Sequence, residues 1–265
     1  MSGQDIIVER RGPIEVVTLN RPDALNALSE ALVTELTGYL RELKHRRECR
    51  VVILRGAGRA FCAGLDIKEY RSSTNETPFQ RTWRVQTDLA DVLRLMRNAP
   101  QPFIALGHGA ACGGGFSLML ASDVRIGAPS LRMNAAYIKI GLGGADLGSS
   151  YFLPRLVGAS LAAELLLTGR FLHADRALQL GLLSQVVAEE ALLDAGLALA
   201  DEMAANSPYG LALTKQALNV NIDAPSFDAA VALEDRQQAM MAPTDDHREA
   251  MTAFVEKRPP AYRGR

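Results

Sequence analysis

Two short turns rich in glycine and other small residues are the segments of this 265-residue chain best suited to chemistry. The first runs from Ala60 to Asp66 (AFCAGLD), and the second runs from Cys112 to Phe116 (CGGGF). Each turn follows an apolar run, residues 51–54 or 103–106, that is typical of a buried strand. Glycine permits backbone conformations that leave peptide N–H groups exposed. If the two turns lie side by side, their N–H groups can stabilise one oxyanion, and each donor lowers the barrier by about 3 kcal/mol.

Composition and charge indicate an ordinary globular protein. A hydrophobic fraction of 48% can fill the core of one large α/β domain, with or without a helical appendage. The formal net charge is -1, from 29 basic and 30 acidic side chains, so nothing global attracts nucleic acid or an anionic membrane. No basic region precedes an apolar stretch near the first residues, and no run approaches the ~20 apolar residues of a membrane span. We therefore expect a cytoplasmic protein that holds any anionic ligand locally.

The cysteines and histidines favour neither a disulfide nor a metal site. Cys49, Cys62 and Cys112 are odd in number and scattered, and two of them occupy the glycine-rich turns as small residues. The histidines form no H-E-x-x-H pattern or other close ligand pair. We expect packing thiols and no bound metal.

The spacing of apolar residues and breakers predicts an α/β core. Alternation around Gly12-Pro13 predicts a hairpin, and Pro100-Gln101-Pro102 ends a long amphipathic helix. The predicted elements are the hairpin within residues 6–20, helices over 25–40, 78–98 and 114–121, and strands over 51–54, 103–106 and 124–126.

Beyond Pro154 the pattern is mostly helical. No separate set of strands is predicted there that could make a second sheet. We divide the chain into a core, residues 1–200, and a C-terminal helical region, residues 201–265, packed on the core or on another subunit. The basic tail after Glu256 is either a solvated end or a phosphate contact. The predicted helices span residues 156–168, 174–180, 189–206 and 209–221, with further helical stretches to about 256.

Segments spread over nearly the whole chain resemble the crotonase family, also called enoyl-CoA hydratase/isomerase. The glycine spacings do not fit the dinucleotide-binding pattern G-x-G-x-x-G. The resemblance implies an α/β fold built as a spiral of ββα units, with a C-terminal helical trimerisation region. It also implies an acyl-CoA thioester as substrate, no separate cofactor, and assembly as a homotrimer or a hexamer. The matching segments are residues 19–22 (LNRP), 25–28 (LNAL), 60–69 (AFCAGLDIKE), 109–115, 121–123 (ASD), 153–158 (LPRLVG) and 167–170 (LTGR).

The resemblance further implies roles for individual residues. The oxyanion hole for a thioester enolate would be the backbone N–H groups of Leu65 and Gly114. For Lys68 and Lys257 an exposed, solubilising role is the alternative. The coenzyme A-binding residues would be Arg21, Ala24, Leu25, Ala63, Asp66, Ile67 and Lys68, with Phe254 and Lys257 contributed by a neighbouring subunit.

The chain departs from a typical hydratase of this family at both catalytic glutamates, whose places are taken by Ser117 and Tyr137. Hydration needs one group to orient water and another to deliver a proton to carbon. One acid remains nearby: Asp146 lies eight residues before Pro154, where family members that move double bonds carry their carboxylate. A single carboxylate can remove a proton, wait beside a dienolate and return the proton at another carbon. These residues favour isomerase chemistry.

Several alternatives remain open from the sequence. Asp146 is either this acid/base or the N-cap of the helix that follows it. Tyr137 either donates a proton or positions water, or it packs at a strand edge. Hydration through Tyr137 and Asp146, a non-catalytic acyl-CoA-binding protein, and hydrolysis on the same oxyanion hole are the alternative functions. The segment expected to cover the acyl chain carries Tyr70, Phe79, Trp83 and Leu89.

Overall fold

The computed structural model describes residues 4–69 and 76–265 and shows a mixed α/β fold. The strands are β1 (Ile6–Arg11), β2 (Ile14–Leu19), β3 (Val51–Gly56), β4 (Phe103–Gly107), β5 (Ala110–Cys112), β6 (Val124–Gly127), β7 (Arg132–Asn134), β8 (Leu172–His173) and β9 (Gln185–Val186). The helices are α1 (Glu30–Leu43), α2 (Pro78–Asn98), α3 (Gly114–Ala121), α4 (Ser149–Val157), α5 (Ala159–Thr168), α6 (Ala174–Gln179), α7 (Leu192–Ala204), α8 (Pro208–Asn221), α9 (Phe227–Met241) and α10 (Asp245–Glu256). Short 3₁₀ turns lie at Pro22–Ala24, Ala136–Ile140 and Glu189–Ala191.

The main sheet has the strand order β1-β2-β3-β4-β6-β9. The predicted hairpin is confirmed as the antiparallel pair β1–β2, and the remaining neighbours pair in parallel. One hydrophobic cluster packs helices α1, α2 and α3 on one face of this sheet, and a second cluster packs α7 on the other face. Because β3 and β4 are parallel neighbours, the two loops that follow them leave the same edge of the sheet.

A small second sheet is present that the residue pattern does not predict. Only its strand β8 follows Pro154, so no separate set of strands makes a sheet in that region, as expected. Strand β8 pairs antiparallel with β7, which pairs in parallel with β5, and the three make a small second sheet. These strands have only two or three residues, so they are too short to leave the alternation by which a strand is predicted.

The first long helix starts later than predicted. Helix α1 begins at Glu30, where the Ser29 hydroxyl accepts a hydrogen bond from the N–H of Leu32. The predicted start at Leu25 is wrong because Leu25 and Asn26 both have positive φ angles, 52° and 55°, which cannot continue a right-handed helix.

Helix α2 agrees with its predicted range of 78–98. Thr77 and Gln80 form a reciprocal capping box at its start. At its end, Ala99 is extended because it precedes Pro100. The helix predicted over 156–168 is instead two helices, α4 and α5, separated at Gly158, whose φ is +86°. In the described part of the chain, no helix is both long enough and apolar enough to cross a bilayer.

Candidate active site

The two glycine-rich turns lie side by side, as the sequence predicts. The N–H of Cys62 donates to the oxygen of Ala110 at 3.0 Å, and the N–H of Cys112 donates back to the oxygen of Cys62 at 3.0 Å. This short parallel bridge joins the loop that follows β3 to strand β5. The backbones of the two turns are therefore held against each other by peptide hydrogen bonds.

A second bridge determines which way the N–H of Leu65 points. Leu28 donates to the oxygen of Gly64 at 2.7 Å and accepts from the N–H of Asp66 at 3.1 Å. Alternate peptide groups of a strand point to opposite sides. The N–H of Leu65 therefore points away from Leu28, and it has no hydrogen-bond partner among the residues that the structure describes.

The N–H of Gly114 is also without a partner in the described ranges, because Gly114 is the first residue of α3. The preceding N–H, that of Gly113, is bonded to the oxygen of Asn134 at 2.9 Å. The partial positive charge of the α3 N-terminus adds to the attraction for an anion at this point. Leu65 and Gly114 together present two free donors of the kind that an oxyanion requires.

Glycine is required where the turns touch. A Cβ atom at Gly115 would lie 2.1 Å from the oxygen of Cys62, which is far inside the van der Waals contact distance, so no other residue fits there. Gly64 has a φ of +100°, and its Cβ would lie 2.8 Å from the oxygen of Cys112 and 3.6 Å from the nitrogen of Gly114. The close approach of the two donors thus depends on the absence of side chains at these positions.

A cavity of about 540 Å³ opens in front of these donors. Its wall is largely apolar, with polar groups at Arg81, Thr82, Gln86, Tyr137 and Asp146. Within residues 4–69 and 76–265, Asp146 carries the only carboxylate in this wall. The lining residues are Ala63, Gly64, Leu65, Ile67, Arg81, Thr82, Val85, Gln86, Leu89, Gly113, Gly114, Ala136, Tyr137, Ile140, Leu142, Asp146 and Leu147.

Asp146 is half-buried and is held in a tight turn before α4. Its main-chain N–H donates to the Ser149 hydroxyl at 3.1 Å, and its main-chain oxygen accepts from the N–H of Ser149 at 2.9 Å. The carboxylate oxygen Oδ1 accepts from the N–H of Leu147 at 2.7 Å. The alternative role as a helix N-cap is wrong, because Gly148 is the N-cap of α4 and receives no side-chain capping bond.

Ser117 and Tyr137, the residues in place of the two family glutamates, lie next to each other. Their hydroxyl oxygens are 3.5 Å apart, and both side chains are buried. Tyr137 lies in the 3₁₀ turn Ala136–Ile140, so the expectation that it packs at a strand edge is wrong. Burial raises the pKa of Tyr137, and the nearby charge of Asp146 also raises it, whereas hydrogen bonds with Ser117 and Ser149 lower it. Since its pKa is raised overall, Tyr137 is a neutral phenol at neutral pH.

Arg21 and Asp66 form an ion pair beside the first turn. The Arg21 guanidinium donates to Asp66 Oδ2 at 3.0 Å and to the oxygen of Ala27 at 2.6 Å. Burial acts to raise the pKa of Asp66, but the hydrogen bond and charge of Arg21 outweigh burial, so the pKa is lowered. This pair ties residues 21–27 to the loop that carries Leu65, and the carboxylate stays ionised.

The other residues assigned to coenzyme A fall into two groups. Ala63 and Ile67 line the cavity, while Ala24, Leu25 and Lys68 lie on the adjoining loops outside its wall. Leu25 supports the first turn, because its main-chain oxygen accepts from the N–H of Ala63 at 3.0 Å. Phe254 and Lys257 lie on and just after α10; both are exposed, and neither lines the cavity of its own chain.

The segment expected to cover the acyl chain contributes unevenly to the cavity. Leu89 of α2 lines the wall. Phe79 and Trp83 stack on each other with ring centroids 6.1 Å apart, and both are exposed outside it. Tyr70 lies outside the described residues.

Two residues of the site have no role in the sequence analysis. Gln86 is a polar residue on an amphipathic helix, and its amide donates to the Asp146 carboxylate. Asn26 is fully buried, and its amide donates to the oxygens of Ala57 and Ala60, both at 2.8 Å, at the start of the first turn. A single sequence carries no signal for Gln86. Asn26 lies in the LNAL segment, and asparagine is one of the few residues that tolerate a positive φ.

The arrangement can stabilise a carbonyl oxygen that becomes negative while a carboxylate exchanges a proton with a neighbouring carbon. Two free N–H donors and one carboxylate share a mostly apolar cavity, in which electrostatic interactions are stronger than in water.

Known proteins resemble this chain over nearly its whole length. The family model for enoyl-CoA hydratase/isomerase matches residues 9–265. A Mycobacterium bovis protein named probable enoyl-CoA hydratase echA12 is 38% identical, over 97% of this chain and 92% of that protein. The 1,2-epoxyphenylacetyl-CoA isomerase of Escherichia coli is 32% identical, over 95% of both chains.

Solved structures show the same fold. The crystal structure of enoyl-CoA hydratase from Bacillus anthracis matches with a TM-score of 0.93 and 33% identity, covering 99% of this chain and 100% of that one. The crotonase-like fold with its helical C-terminal region, expected from the sequence, is thereby confirmed. With the family model covering nearly the whole chain, the protein is a member of the enoyl-CoA hydratase/isomerase family.

Proposed function

We propose that this enzyme is an isomerase that moves the double bond of an enoyl-CoA thioester, with Asp146 as its acid/base. The observation that carries the proposal is the wall of the cavity. Asp146 supplies a carboxylate there, and the two positions that carry glutamates in a typical hydratase of this family hold hydroxyl side chains, Ser117 and Tyr137. The Escherichia coli relative is named 1,2-epoxyphenylacetyl-CoA isomerase, so the similar proteins include an isomerase whose substrate is a coenzyme A thioester.

The reaction needs one proton to leave and the same proton to return. Asp146 removes a proton from the α-carbon of a 3-enoyl thioester, and the electron pair moves into a dienolate. The N–H groups of Leu65 and Gly114 bind the enolate oxygen, whose charge is greatest at this stage. Protonated Asp146 then delivers the proton to the γ-carbon, which leaves a 2-enoyl thioester and the original carboxylate. No separate cofactor takes part, because coenzyme A is part of the substrate.

Hydration is the second candidate, and the hydroxyl pair favours it. Tyr137 lines the cavity, and its hydroxyl, 3.5 Å from that of Ser117, can contact a water there. The raised pKa of Tyr137 keeps its phenol protonated, so it can donate a proton but cannot serve as the base at neutral pH. Asp146 would then have to activate the water alone.

The coenzyme A assignment rests on the family relationship and on the position of the loops. We assign Arg21, Ala24, Leu25, Ala63, Asp66, Ile67 and Lys68 to its binding. The C-terminal region, residues 201–265, would assemble a homotrimer or hexamer of cytoplasmic subunits, with Phe254 and Lys257 completing a neighbour's nucleotide site. The 81% exposure of Phe254 supports an intersubunit role. Light scattering on the intact chain measures the subunit number, and Lys257→Glu should raise KM for acyl-CoA.

The testing experiment follows products from crotonyl-CoA and from 3-enoyl-CoA thioesters of several chain lengths. Chromatography must accompany mass spectrometry, because isomers have the same mass. We expect conversion of 3-enoyl to 2-enoyl thioester, and a loss of at least about 100-fold in kcat for Asp146→Asn. The matched control is Asp228→Asn, which changes an exposed carboxylate on α9.

Each other product corresponds to another function. A gain of one water that depends on Asp146 indicates a hydratase. Release of free coenzyme A indicates a hydrolase. Binding of acyl-CoA without turnover, unchanged in Asp146→Asn, indicates a non-catalytic acyl-CoA-binding protein.

A further inference from the structure

Asp146 is contacted from across the cavity by a residue of another element. Gln86 lies on α2, and its side-chain amide donates a hydrogen bond to Asp146 Oδ1. The two residues are 60 positions apart in the chain. Gln86 and Asp146 both line the cavity in front of Leu65 and Gly114. The contact therefore joins one wall of the site to the carboxylate on the other.

The two carboxylate oxygens of Asp146 differ in their hydrogen bonds. Oδ1 accepts two N–H groups, one from Gln86 and one from the main chain of Leu147 at 2.7 Å. Oδ2 receives no hydrogen bond from any residue in the described ranges, and it is not an enclosed atom. The lone pairs of Oδ1 are thus engaged by the protein, whereas those of Oδ2 are available to a substrate.

A carboxylate held by one donor is free to turn. The terminal torsion of an aspartate has a broad preference, so the N–H of Leu147 alone does not determine the plane of the carboxylate. A second donor, attached to a different helix, supplies a second fixed point. With both in place, the position of Oδ2 follows from the positions of α2 and of the turn at Leu147.

We propose that Gln86 is a positioning residue that makes Oδ2 of Asp146 the oxygen which exchanges the proton with the substrate. The inference rests on the isomerase proposal above and assigns a role to a residue of α2. Proton transfer requires reacting atoms aligned within hydrogen-bond distance, and a misplacement of about 1 Å can lower the rate about 100-fold. Gln86 acts on the proton-transfer step through Asp146 and does not contribute to the binding of coenzyme A.

The decisive variant is Gln86→Met, which keeps the length of the side chain and removes the amide donor. We expect kcat for 3-enoyl-CoA isomerisation to fall about 10- to 100-fold, while KM and the dissociation constant of a saturated acyl-CoA change less than about threefold. Gln86 is exposed, so the variant should keep the melting temperature of the wild type. Gln179→Met makes the same replacement at an exposed site on α6 and should keep full kcat.

Parallel assays of Asp146→Asn separate the two hypotheses. If Asp146→Asn abolishes turnover and Gln86→Met keeps wild-type kcat, the positioning role is refuted and the isomerase proposal stands. If Asp146→Asn retains full turnover, the isomerase proposal fails, and the role of Gln86 fails with it. If Gln86→Met weakens acyl-CoA binding as much as it lowers kcat, Gln86 merely shapes the wall, which also overturns the inference.

Discussion

Replacing Gly64 by alanine should disable the proposed oxyanion hole of Leu65 and Gly114 while leaving the fold in place. Gly64 lies in the first turn, directly before Leu65, and has a φ of +100°. The added Cβ would lie 2.8 Å from the oxygen of Cys112 and 3.6 Å from the nitrogen of Gly114. The oxygen of Cys112 belongs to the backbone, so no side-chain rotation can relieve the contact. The turns must separate by several tenths of an ångström.

The expected magnitudes follow from this displacement. Donors to an oxyanion act at about 2.7–3.1 Å, and loss of one donor lowers kcat about 100- to 1,000-fold. KM should change much less, because the ground-state carbonyl carries little of the charge that the donors stabilise. An L-residue at positive φ also costs about 1–2 kcal/mol of folding free energy.

The assay compares kcat, KM and melting temperature of Gly64→Ala with those of Gly12→Ala. Gly12 also has a positive φ, +59°, but its Cβ would meet nothing within 4 Å, and it lies in the β1–β2 hairpin. This control carries the backbone strain without the contact. We expect both variants to lose stability and only Gly64→Ala to lose turnover. If Gly64→Ala keeps kcat within about threefold of the wild type, the assignment of the two N–H donors is refuted.

Three further predictions concern the residues that support the site. Arg21→Met should destabilise the protein by about 1–2 kcal/mol at pH 7. The pKa of Asp66 is lowered in the folded state, so the ion pair stabilises the fold above the unfolded pKa of about 3.9 and ceases to do so as pH falls through the folded pKa. The loss of unfolding free energy in Arg21→Met, measured by denaturant unfolding, should therefore shrink in acid. Lys215→Met should cost about 2–4 kcal/mol, because the buried ammonium of Lys215 pairs with Asp123 at 2.9 Å and that carboxylate would lose a partner. Asn26→Asp should lower the melting temperature by several degrees, because a carboxylate would replace an amide that donates to two main-chain oxygens.

Each of these predictions has an opposing result. A deficit in Arg21→Met that is the same at pH 7 and in acid strong enough to protonate Asp66 in the folded protein would exclude the ion pair as its cause. Lys44→Met, at an exposed position with no ion pair in the described ranges, should be near neutral, and an equal loss there would contradict the role of Lys215. A melting temperature of Asn26→Asp that equals the wild type would show that the buried amide bonds contribute little.

Local signals in the sequence account for much of the fold. The predicted bounds of helix α2 agree with the observed ones, because an apolar stripe runs along it and Pro100 follows its end. The start of α1 was predicted wrongly, because the apolar spacing continues through Leu25 while its backbone is left-handed. Strands β5, β7 and β8 were missed because pairing with distant partners, and not residue pattern, produces strands this short.

The candidate site also has some features that can be predicted from the sequence and others that cannot. The turns that carry Leu65 and Gly114 are visible in the sequence, because glycines and small residues at those positions are a local requirement for exposed N–H groups. The contact between Gln86 and Asp146 is not visible, because its two residues come from segments that only the packed fold brings together. The same holds for the hydroxyl pair of Ser117 and Tyr137.

The sequence by itself determined which residues can supply chemistry: two turns built to expose backbone donors, and Asp146 in a region that lacks the usual glutamates. Backbone conformation and residue type are local properties, so they can be predicted without the fold. The tertiary structure decided which oxygen of Asp146 is free, what holds the other oxygen, and how closely the two donors approach. Those depend on distances between segments far apart in the chain, which packing alone establishes.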